Sequence, residues 1–327
     1  MRRCFVCEAD TLEPTSRHIR YPDGSRRGFP RVCASCGVLL AAGADAATCW
    51  NHLARELAGE TFQLSPDAPY GLDLYTLRSA ATRLGRGARP LDETDGQALR
   101  HPHAERAAAG ALFALTALRP RAVSLGIPCR PADLDGVLDA LRAQAAWTSD
   151  VAILVDGPPR APDVIDVAGF PQGAVRLAAR PLGGDFSAQR NALQDLARHA
   201  WMLQLDADEA LAPETGRGLP TLAALAEGGG AVSIGLPRRN RVEGILSDVY
   251  PDVQYRLNRS HVRFTGRVHE RPDLGGDWRQ GFIALGGAIE HRLTRTHVAA
   301  RSTRYETMDP GRGRPEEQTA LLRPYRP

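Results

Sequence analysis

The hydrophobic and polar positions of the chain change character near residue 119. Between Cys7 and Cys33 lie Pro, Gly, Arg and Asp residues that are typical of turns. Short Ala- and Leu-rich runs from Cys49 to about Ala117 predict helices. The most apolar stretch, Ala107 to Leu118, is shorter than the roughly 20 residues that a membrane span needs. We therefore expect a buried or linking helix there.

Beyond residue 119, strand-like and helix-like segments alternate. The predicted strands are 122–127, 151–155, 174–178 and 201–205, and the predicted helices are 131–147 and 187–199. The unbroken apolar run VAILV suits a strand that is buried on both faces of a parallel sheet. Strands and helices in this order predict an α/β fold.

Carboxylates follow two of the predicted strands. Asp156 ends the strand 151–155, and the triplet Asp206-Ala207-Asp208 follows the strand 201–205. Ligands of open α/β sheets bind outside the carboxyl ends of the strands. Two aspartates spaced i, i+2 can face one hard cation, such as Mg²⁺ or Mn²⁺. Such a triplet also arises by chance as two solvated loop carboxylates, but here it closes an apolar strand that follows a helix.

The segment FSAQRNALQDLARHAWMLQLDADEAL resembles the core motif of family 2 glycosyltransferases, which have the A-type glycosyltransferase fold. VSLGIPCR, a helix and VAILVDG are similar to the first βαβ unit of that family. PDVQYRLNRSHVRFTGRVHE and AIEH resemble the second half of its lipopolysaccharide-type members. The resemblance covers about residues 120–305. It implies a Rossmann-like mixed sheet and an inverting, metal-dependent transfer of sugar from a UDP- or GDP-type donor to a glycan, lipid-linked or protein acceptor, as in polysaccharide biosynthesis.

The resemblance implies donor-binding roles for four residues. Pro128, at the end of the first strand, and Asp156 would contact the nucleotide. Arg190 would contact the nucleotide or its phosphates, because a planar guanidinium matches phosphate oxygens. Asp206 would orient the ribose or the sugar. Arg190 could instead be a surface ion-pair partner.

Metal binding and proton transfer are implied for four further residues. Asp208 and His291 would bind Mn²⁺ or Mg²⁺ beside the departing diphosphate, although His291 could equally be a core histidine. Glu270 would be the general base that deprotonates the acceptor, and Asp252 is the second candidate for that role. Glu270 could also be a structural carboxylate that positions a loop.

One departure from the family motivates an alternative function. The second strand is followed by Asp156-Gly157-Pro158-Pro159, which retains one aspartate and lacks the next acidic residue. The alternative is a catalytically degenerate module that binds carbohydrate as an attachment or structural protein.

The first 36 residues contain two cysteine pairs, Cys4-x-x-Cys7 and Cys33-x-x-Cys36. Two such pairs predict a zinc-ribbon-like module in which four thiolates hold a structural Zn²⁺. Cys49 and His52 are alternative ligands, and four unrelated thiols or a redox dithiol are alternative interpretations. A zinc-ribbon protein that binds nucleic acid is a third functional possibility, but the net charge of +3 is too small to favour it.

Composition limits the remaining possibilities. At 327 residues, 43% hydrophobic and 24% charged, the chain is typical of globular proteins. The predicted organisation is a zinc-ribbon-like module (1–48), a helical linker (49–118), a glycosyltransferase domain (119–310) and a flexible tail (311–327). The sequence contains no signal peptide or transmembrane pattern, so we expect a cytoplasmic protein, with peripheral membrane association left open.

Overall fold

The computed structural model describes residues 1–100 and 105–327. Its helices are α1 (Ala46–Leu57), α2 (Leu74–Thr82), α3 (Glu93–Arg100), α4 (Leu134–Leu141), α5 (Phe186–Leu196), α6 (Pro213–Gly228), α7 (Arg295–Met308) and α8 (Pro315–Leu321). Asp45, Asp73, Asp185 and Thr294 cap α1, α2, α5 and α7 by accepting a hydrogen bond from the amide three residues on. These side chains satisfy amide donors that a helix start leaves free.

The strands fall into two sets along the chain. The amino-terminal set is β1 (Leu12–Pro14), β2 (His18–Arg20), β3 (Arg26–Gly28), β4 (Arg31–Cys33), β5 (Leu39–Leu40), β6 (Thr61–Gln63), β7 (Tyr70–Gly71), β8 (Arg86–Arg89) and β9 (Ala109–Ala114). The second set is β10 (Val123–Cys129), β11 (Val151–Asp156), β12 (Arg160–Ile165), β13 (Val175–Arg180), β14 (Trp201–Gln204), β15 (Glu209–Leu211), β16 (Ser233–Leu236), β17 (Arg238–Val242), β18 (Ile245–Leu246), β19 (Gln254–Arg259), β20 (Phe264–Thr265), β21 (Arg271–Pro272), β22 (Gly281–Ile283) and β23 (Ile289–Leu293).

A mixed sheet forms the centre of the second set, in the order β12-β13-β11-β10-β14-β19-β16-β22. The strands β13, β11, β10 and β14 are parallel to one another, whereas β12 and β19 run antiparallel to their neighbours. The α/β fold class predicted from the sequence is confirmed. Because the four parallel strands point the same way, the residues that follow them meet at one edge of the sheet.

Helices cover both faces of this sheet. Ile153 and Leu203 pack with Leu219 of α6 on one face, and Leu154 and Leu193 of α5 lie on the other. Successive side chains of a strand point to opposite faces, so an apolar run such as VAILV supplies both cores. Hydrophobic burial on both faces therefore fixes the position of each strand, and with it the position of the polar residues that follow the strand.

A smaller sheet, in the order β15-β23-β17-β18, lies beside the large one. Its register pairs Glu209 with His291 and His291 with Asn240. The strand β15 begins one residue after Asp208. The small sheet therefore brings His291, 83 positions away in sequence, next to the predicted metal-binding aspartate.

The structure of residues 49–118 differs from the predicted helical linker. The segment 49–118 contains four strands besides its helices, and the predicted helix at 107–118 is wrong because Ala109–Ala114 is the central strand of the sheet β6-β9-β8. Gly110 and Leu112 are buried on one face of that strand, which is the period-two alternation of a strand. Residues 101–104 of the predicted helical segment lie outside the described part of the chain.

The predicted boundary at residue 48 does not separate two cores. One apolar cluster extends from Cys4 to Leu112, and β5 pairs with β7 across that boundary. The tail, predicted to be flexible, contains α8, and its Leu321 is buried. Within residues 1–100 and 105–327, no helix has the length and apolar character of a membrane span. The exact domain limits stay predictions.

Core burial gives a stability prediction. Leu203 is fully buried in β14, whereas 56% of Leu91 is exposed. We expect Leu203→Ala to lower the free energy of unfolding by about 2–5 kcal/mol, because a cavity remains in the core. The matched control, Leu91→Ala, should change it by less than about 0.5 kcal/mol in the same urea titration. Equal losses in the two variants would contradict the assignment of Leu203 to the core.

Candidate functional site

A cavity of about 460 Å³ opens where β10, β11 and β14 end. It is lined by all eight residues that the sequence assigned to donor binding, metal binding or catalysis: Pro128, Asp156, Arg190, Asp206, Asp208, Asp252, Glu270 and His291. The volume lies within the range of small-molecule sites. The tertiary structure thus gathers residues that lie up to 163 positions apart, from 128 to 291, while their individual roles stay predictions.

Two arginines hold the carboxylate of Asp206. Its Oδ1 accepts a hydrogen bond from Arg190 Nη2 at 2.7 Å, and its Oδ2 accepts one from Arg256 Nη2 at 2.8 Å. Burial raises the pKa of Asp206 above its ordinary value, Arg190 lowers it, and the nearby carboxylates of Glu209 and Glu270 raise it again. Burial is the largest of these effects, and the carboxylates of Asp206, Glu209 and Glu270 form one cluster with Arg190 and Arg256.

Glu270 uses the same two arginines. Its Oε1 accepts a hydrogen bond from Arg190 Nε and lies 3.6 Å from Arg256 Nη1. The hairpin of β20 and β21 carries Glu270, and the turn needs a positive φ of 96° at Gly266 and 53° at His269. Arg190 and Arg256 thus bridge two acidic side chains that face one cavity.

Asp208 lies between two imidazoles. Its Oδ2 is 3.3 Å from His291 Nε2 and 3.7 Å from His297 Nδ1. Burial acts to raise the pKa of Asp208, but the hydrogen bond with His291 and the charges of both histidines lower it to about 2. His291 Nδ1 contacts Asn240 Oδ1 at 2.7 Å, which orients the ring toward Asp208. Asp208 and His291 are therefore close enough to bind one ion together.

Asp252 is enclosed by hydrogen-bond donors. Its Oδ2 accepts from Arg238 Nη2 at 2.6 Å and from Asn240 Nδ2 at 2.8 Å, and its Oδ1 accepts from Gln254 Nε2 at 2.7 Å. Burial acts to raise the pKa of Asp252, but Arg238 and these hydrogen bonds lower it to about 2. A carboxylate with a low pKa and occupied oxygens is a poor proton acceptor at neutral pH. The geometry favours a positioning role over the predicted role of second base.

The remaining donor-side residues lie at the ends of β10 and β11. Asp156 Oδ1 accepts a hydrogen bond from the amide of Leu182 at 2.8 Å, which ties the end of β11 to the segment before α5. Pro128 lies in the cavity wall beside Cys129. Arg190 is buried, so it is not the exposed surface residue that the sequence left open.

Sequence reasoning missed several residues of the cavity. Arg256 lies on β19, inside the quoted segment PDVQYRLNRSHVRFTGRVHE, but the sequence assigned it no role; the pairing of β19 with β14 places it against Asp206. The cavity wall formed by α7 presents His297, Arg301, Arg304 and Tyr305. These four follow i, i+4, i+7 and i+8, which is one helix face, so their spacing could have indicated a shared surface.

The four predicted zinc ligands converge. The Sγ atoms of Cys4 and Cys36 lie 3.6 Å apart, as do those of Cys7 and Cys33, and all four ligand atoms lie within 4.8 Å of one another. Tetrahedral ligation with Zn–S bonds of about 2.3 Å places sulfurs about 3.8 Å apart. In the described residues, this is the one group of three or more potential ligands that converges on a point.

Local backbone geometry produces this convergence. Glu8 and Gly37, which follow the two pairs, have φ values of 65° and 85°. The amide of Glu8 donates to the carbonyl of Cys4 at 2.8 Å, and the amide of Gly37 donates to that of Cys33 at 2.8 Å. The two turns are therefore alike. His52 contacts Tyr70 instead, and Cys49 packs in the core, so neither belongs to the converging group.

Comparison with known proteins gives weak similarity. No protein-family model and no curated protein matches the chain. S. aureus TarS is 10% identical with a TM-score of 0.35, and the match covers 62% of this chain and 42% of TarS. TarS 1–349 in complex with UDP is also 10% identical with a TM-score of 0.35, covering 62% of this chain and 69% of that chain. The chain thus spans less than half of TarS, and the functional proposal rests on the cavity.

The low pKa of Asp252 predicts a pH-dependent contribution to stability. A carboxyl with a pKa of about 2 when folded and 3.8 when unfolded adds on the order of 2 kcal/mol above pH 4. This contribution is lost as the pH falls from 4 to 2, because the unfolded chain binds the proton first. We expect Asp252→Asn to be less stable than the wild type at pH 7, with the difference shrinking toward pH 2.

The measurement is chemical unfolding over that pH range. Asp163→Asn is the control, because 64% of the Asp163 side chain is exposed and its ion pair with Arg160 should contribute little. A stability difference for Asp252→Asn that does not change between pH 7 and pH 2 contradicts the assigned pKa.

Proposed function

We propose that this protein is a metal-dependent, inverting glycosyltransferase that uses a nucleotide-diphosphate sugar. The observation that carries the proposal is the turn Asp206-Ala207-Asp208 at the carboxyl end of β14, in a cavity that also contains Asp156, His291 and several arginines. A site for this reaction must hold a nucleotide, neutralise a departing diphosphate and accept one proton. The cavity has side chains suited to each task.

The arginines of the cavity suit the diphosphate. Arg271 and Arg304 line the cavity, and neither has a carboxylate within 4 Å in the described part of the chain. The guanidinium of Arg304 lies 5.5 Å from the Phe186 ring centre and remains exposed to the cavity. Guanidinium groups bind phosphate oxygens with paired hydrogen bonds. We assign this wall to the phosphates and the end of β11, with Asp156, to the nucleoside.

A divalent cation fits beside Asp208, which lies 3.7 Å from His297 of α7, the helix that also carries Arg304. Asp208 and His291 would hold it, and Asp206 would orient the ribose or sugar, as the resemblance to family 2 glycosyltransferases implies. A carboxylate and an imidazole suit Mn²⁺ better than Mg²⁺. The bound cation supplies positive charge to the leaving diphosphate.

Glu270 is the proposed general base. It takes the proton of the acceptor hydroxyl, whose oxygen bonds to the sugar carbon while the bond to the diphosphate breaks on the opposite side. The sugar configuration is therefore inverted. Arg190 and Arg256 hold one oxygen of Glu270, which fixes the direction of the carboxylate. The acceptor is a hydroxyl of a glycan, a lipid-linked sugar or a protein.

One observation favours the second candidate, a carbohydrate-binding module without turnover. Arg190 and Arg256 occupy both oxygens of Asp206, and the described cavity residues do not include three converging metal ligands. A module of this kind binds glycan and no nucleotide. In the proposed transferase, Arg190 and Arg256 would instead release Asp206 and bind the donor phosphates when the donor enters.

A thermal-shift screen separates the two functions. The purified chain is heated with each of a set of UDP- and GDP-sugars, with and without Mn²⁺. We expect one nucleotide class to raise the melting temperature in a Mn²⁺-dependent way, because a ligand of the native state stabilises it. Stabilisation by oligosaccharides and by no nucleotide sugar would instead establish the binding module.

Asp208→Asn tests the metal site. We expect donor turnover to fall at least about 100-fold and the Mn²⁺-dependent part of UDP affinity to disappear, because a neutral amide binds a hard cation poorly. Asp139→Asn, on the exposed face of α4, is the control and should match the wild type in calorimetry and turnover. Full activity of Asp208→Asn would exclude this metal site.

The cysteine cluster is proposed to bind one structural Zn²⁺. The sulfur separations and complete burial of the four cysteines support a tetrahedral site. We expect Cys7→Ser to lose the metal in elemental analysis and to unfold at a lower temperature, because zinc binding is coupled to folding. Cys49→Ser, which changes a buried thiol outside the cluster, should retain one metal per chain. Equal metal content in the two variants would contradict the site.

A further inference from the structure

The residue before the first cysteine joins three separate segments. Arg3 is 6% exposed, and its guanidinium donates to the carbonyls of Glu8 at 3.0 Å and Tyr250 at 2.8 Å. It also forms an ion pair with Asp248 and donates to the carbonyl of Arg326. The Tyr325 ring centre lies 4.2 Å from its guanidinium carbon. One buried cation therefore connects the cysteine turn, residues 248–250 and the end of the chain.

The segment 248–250 leads directly to the cavity. Asp252 follows two residues later and pairs with Arg238, whose own amide donates to the carbonyl of Pro251 at 3.1 Å. Arg238 Nη1 donates to Glu209 Oε1 at 2.8 Å, and Glu209 Oε2 accepts from the amide of Asp206 at 3.0 Å. Each step is a hydrogen bond between buried or half-buried groups. The chain of contacts ends at the turn that carries Asp206 and Asp208.

A second route starts from the same segment. The amide of Ser247 donates to the carbonyl of Asn240 at 2.8 Å, and the Asn240 side chain contacts both Asp252 and His291. His291 in turn lies 3.3 Å from Asp208. Residues 247–252 are thus linked to His291 through Asn240, and to the Asp206–Asp208 turn through Arg238 and Glu209.

We infer that Arg3 is a positioning residue, through which the four-cysteine module holds segment 247–252 and thereby the Asp206–Asp208 turn in place. The inference rests on the proposed function for its catalytic consequence, but the positioning itself is a property of the fold. Arg3 donates to five backbone or carboxylate acceptors with one planar group, which a lysine cannot reproduce. The cysteine module is therefore a support for the cavity as well as a unit that folds around its own ligands.

The chain contains a matched control for Arg3. Arg2 is the neighbouring residue and donates to the other oxygen of Asp248 at 2.8 Å, but 42% of its side chain is exposed. Removing Arg2 deletes one exposed ion pair, whereas removing Arg3 deprives the carbonyls of Glu8, Tyr250 and Arg326 of a donor in a partly buried position. An exposed pair of this kind contributes little. A difference between the two variants therefore reports the loss of the Arg3 contacts, called the clamp below, and not the loss of a positive charge near Asp248.

The experiment compares full-length Arg3→Ala, Arg3→Lys and Arg2→Ala. Hydrogen exchange followed by mass spectrometry reports on peptides covering 247–252 and 323–327, and elemental analysis reports the metal content. In Arg3→Ala we expect the amides of both peptides to exchange at least roughly tenfold faster, with the metal retained. The reason is that these segments can open locally without breaking the contacts of Arg3. Arg3→Lys should be intermediate, and Arg2→Ala should match the wild type.

Donor turnover gives the catalytic readout. We expect kcat of Arg3→Ala to fall on the order of 10-fold to 100-fold with a smaller change in KM, because the catalytic turn is displaced while the nucleoside contacts remain. Arg3→Lys should recover part of kcat. Asp248→Asn, which keeps the shape of the acceptor, is the second variant if Arg3→Ala does not fold, and it should show faster exchange in the same peptides.

The outcomes separate this inference from the proposed function. Unchanged exchange in 247–252 for Arg3→Ala or, where that variant does not fold, for Asp248→Asn overturns the inference, as does equal exchange in Arg2→Ala and Arg3→Ala. Faster exchange in a chain that turns over no nucleotide sugar supports the clamp and refutes the transferase. Faster exchange with wild-type kcat refutes the link from Arg3 to catalysis.

Discussion

The burial of Arg238 among carboxylates is the constraint on which the cavity depends. Arg238 is 7% exposed and pairs with Glu209 on one side and Asp252 on the other. A buried charge is tolerated only when partners with good geometry compensate its lost hydration. Glu209 begins β15 and Asp252 precedes β19, so this pairing fixes how the small sheet sits against the large one. The residues proposed for chemistry are attached to that frame.

The need to compensate buried charge also determines how the cavity can accept a ligand. Arg190 and Arg256 are compensated by Asp206 and Glu270, whereas Arg271 and Arg304 line the cavity without a carboxylate partner in the described residues. A ligand with several negative charges and a cation can enter by exchanging ion-pair partners, with little net loss of compensation. Arg271 and Arg304 need no such exchange, and charges that are already in place stabilise a charged transition state because they need little rearrangement. The arrangement suits a diphosphate leaving group better than a neutral sugar alone.

The amino-terminal module and the cavity form one connected structure. The hydroxyl of Thr76 donates to the carbonyl of Cys36 at 3.1 Å, and the hydroxyl of Tyr75 donates to that of Gly281 at the edge strand β22. Together with Arg3, these contacts link the amino-terminal residues to the edge strand β22 and to the segment before β19. Residues 1–48 share strand pairing and hydrogen bonds with residues 70–76, through β5 with β7 and through Cys36 with Thr76. This explains why the boundary predicted at residue 48 does not divide the apolar cluster.

The sequence by itself determined the α/β class, the strands around 122–127, 151–155 and 201–205, the two cysteine pairs and the turn at Asp206–Asp208. These depend on local patterns: apolar runs, helical spacing and short motifs. The strand Ala109–Ala114 was missed because its composition suits a helix, and its pairing with β6 and β8 decided otherwise.

Only the tertiary structure decided which residues meet. Asp208 and His291 were paired in the sequence prediction through a family resemblance, and the register of β15 with β23 brings them to 3.3 Å. The contacts of Arg256 with Asp206 and of Arg3 with Asp248 have no signal in the sequence. Their partners lie 50 and 245 positions away, and no local pattern encodes a distance of that kind. Which charged groups compensate one another depends on how strands and loops pair, and these pairings form only when the chain folds.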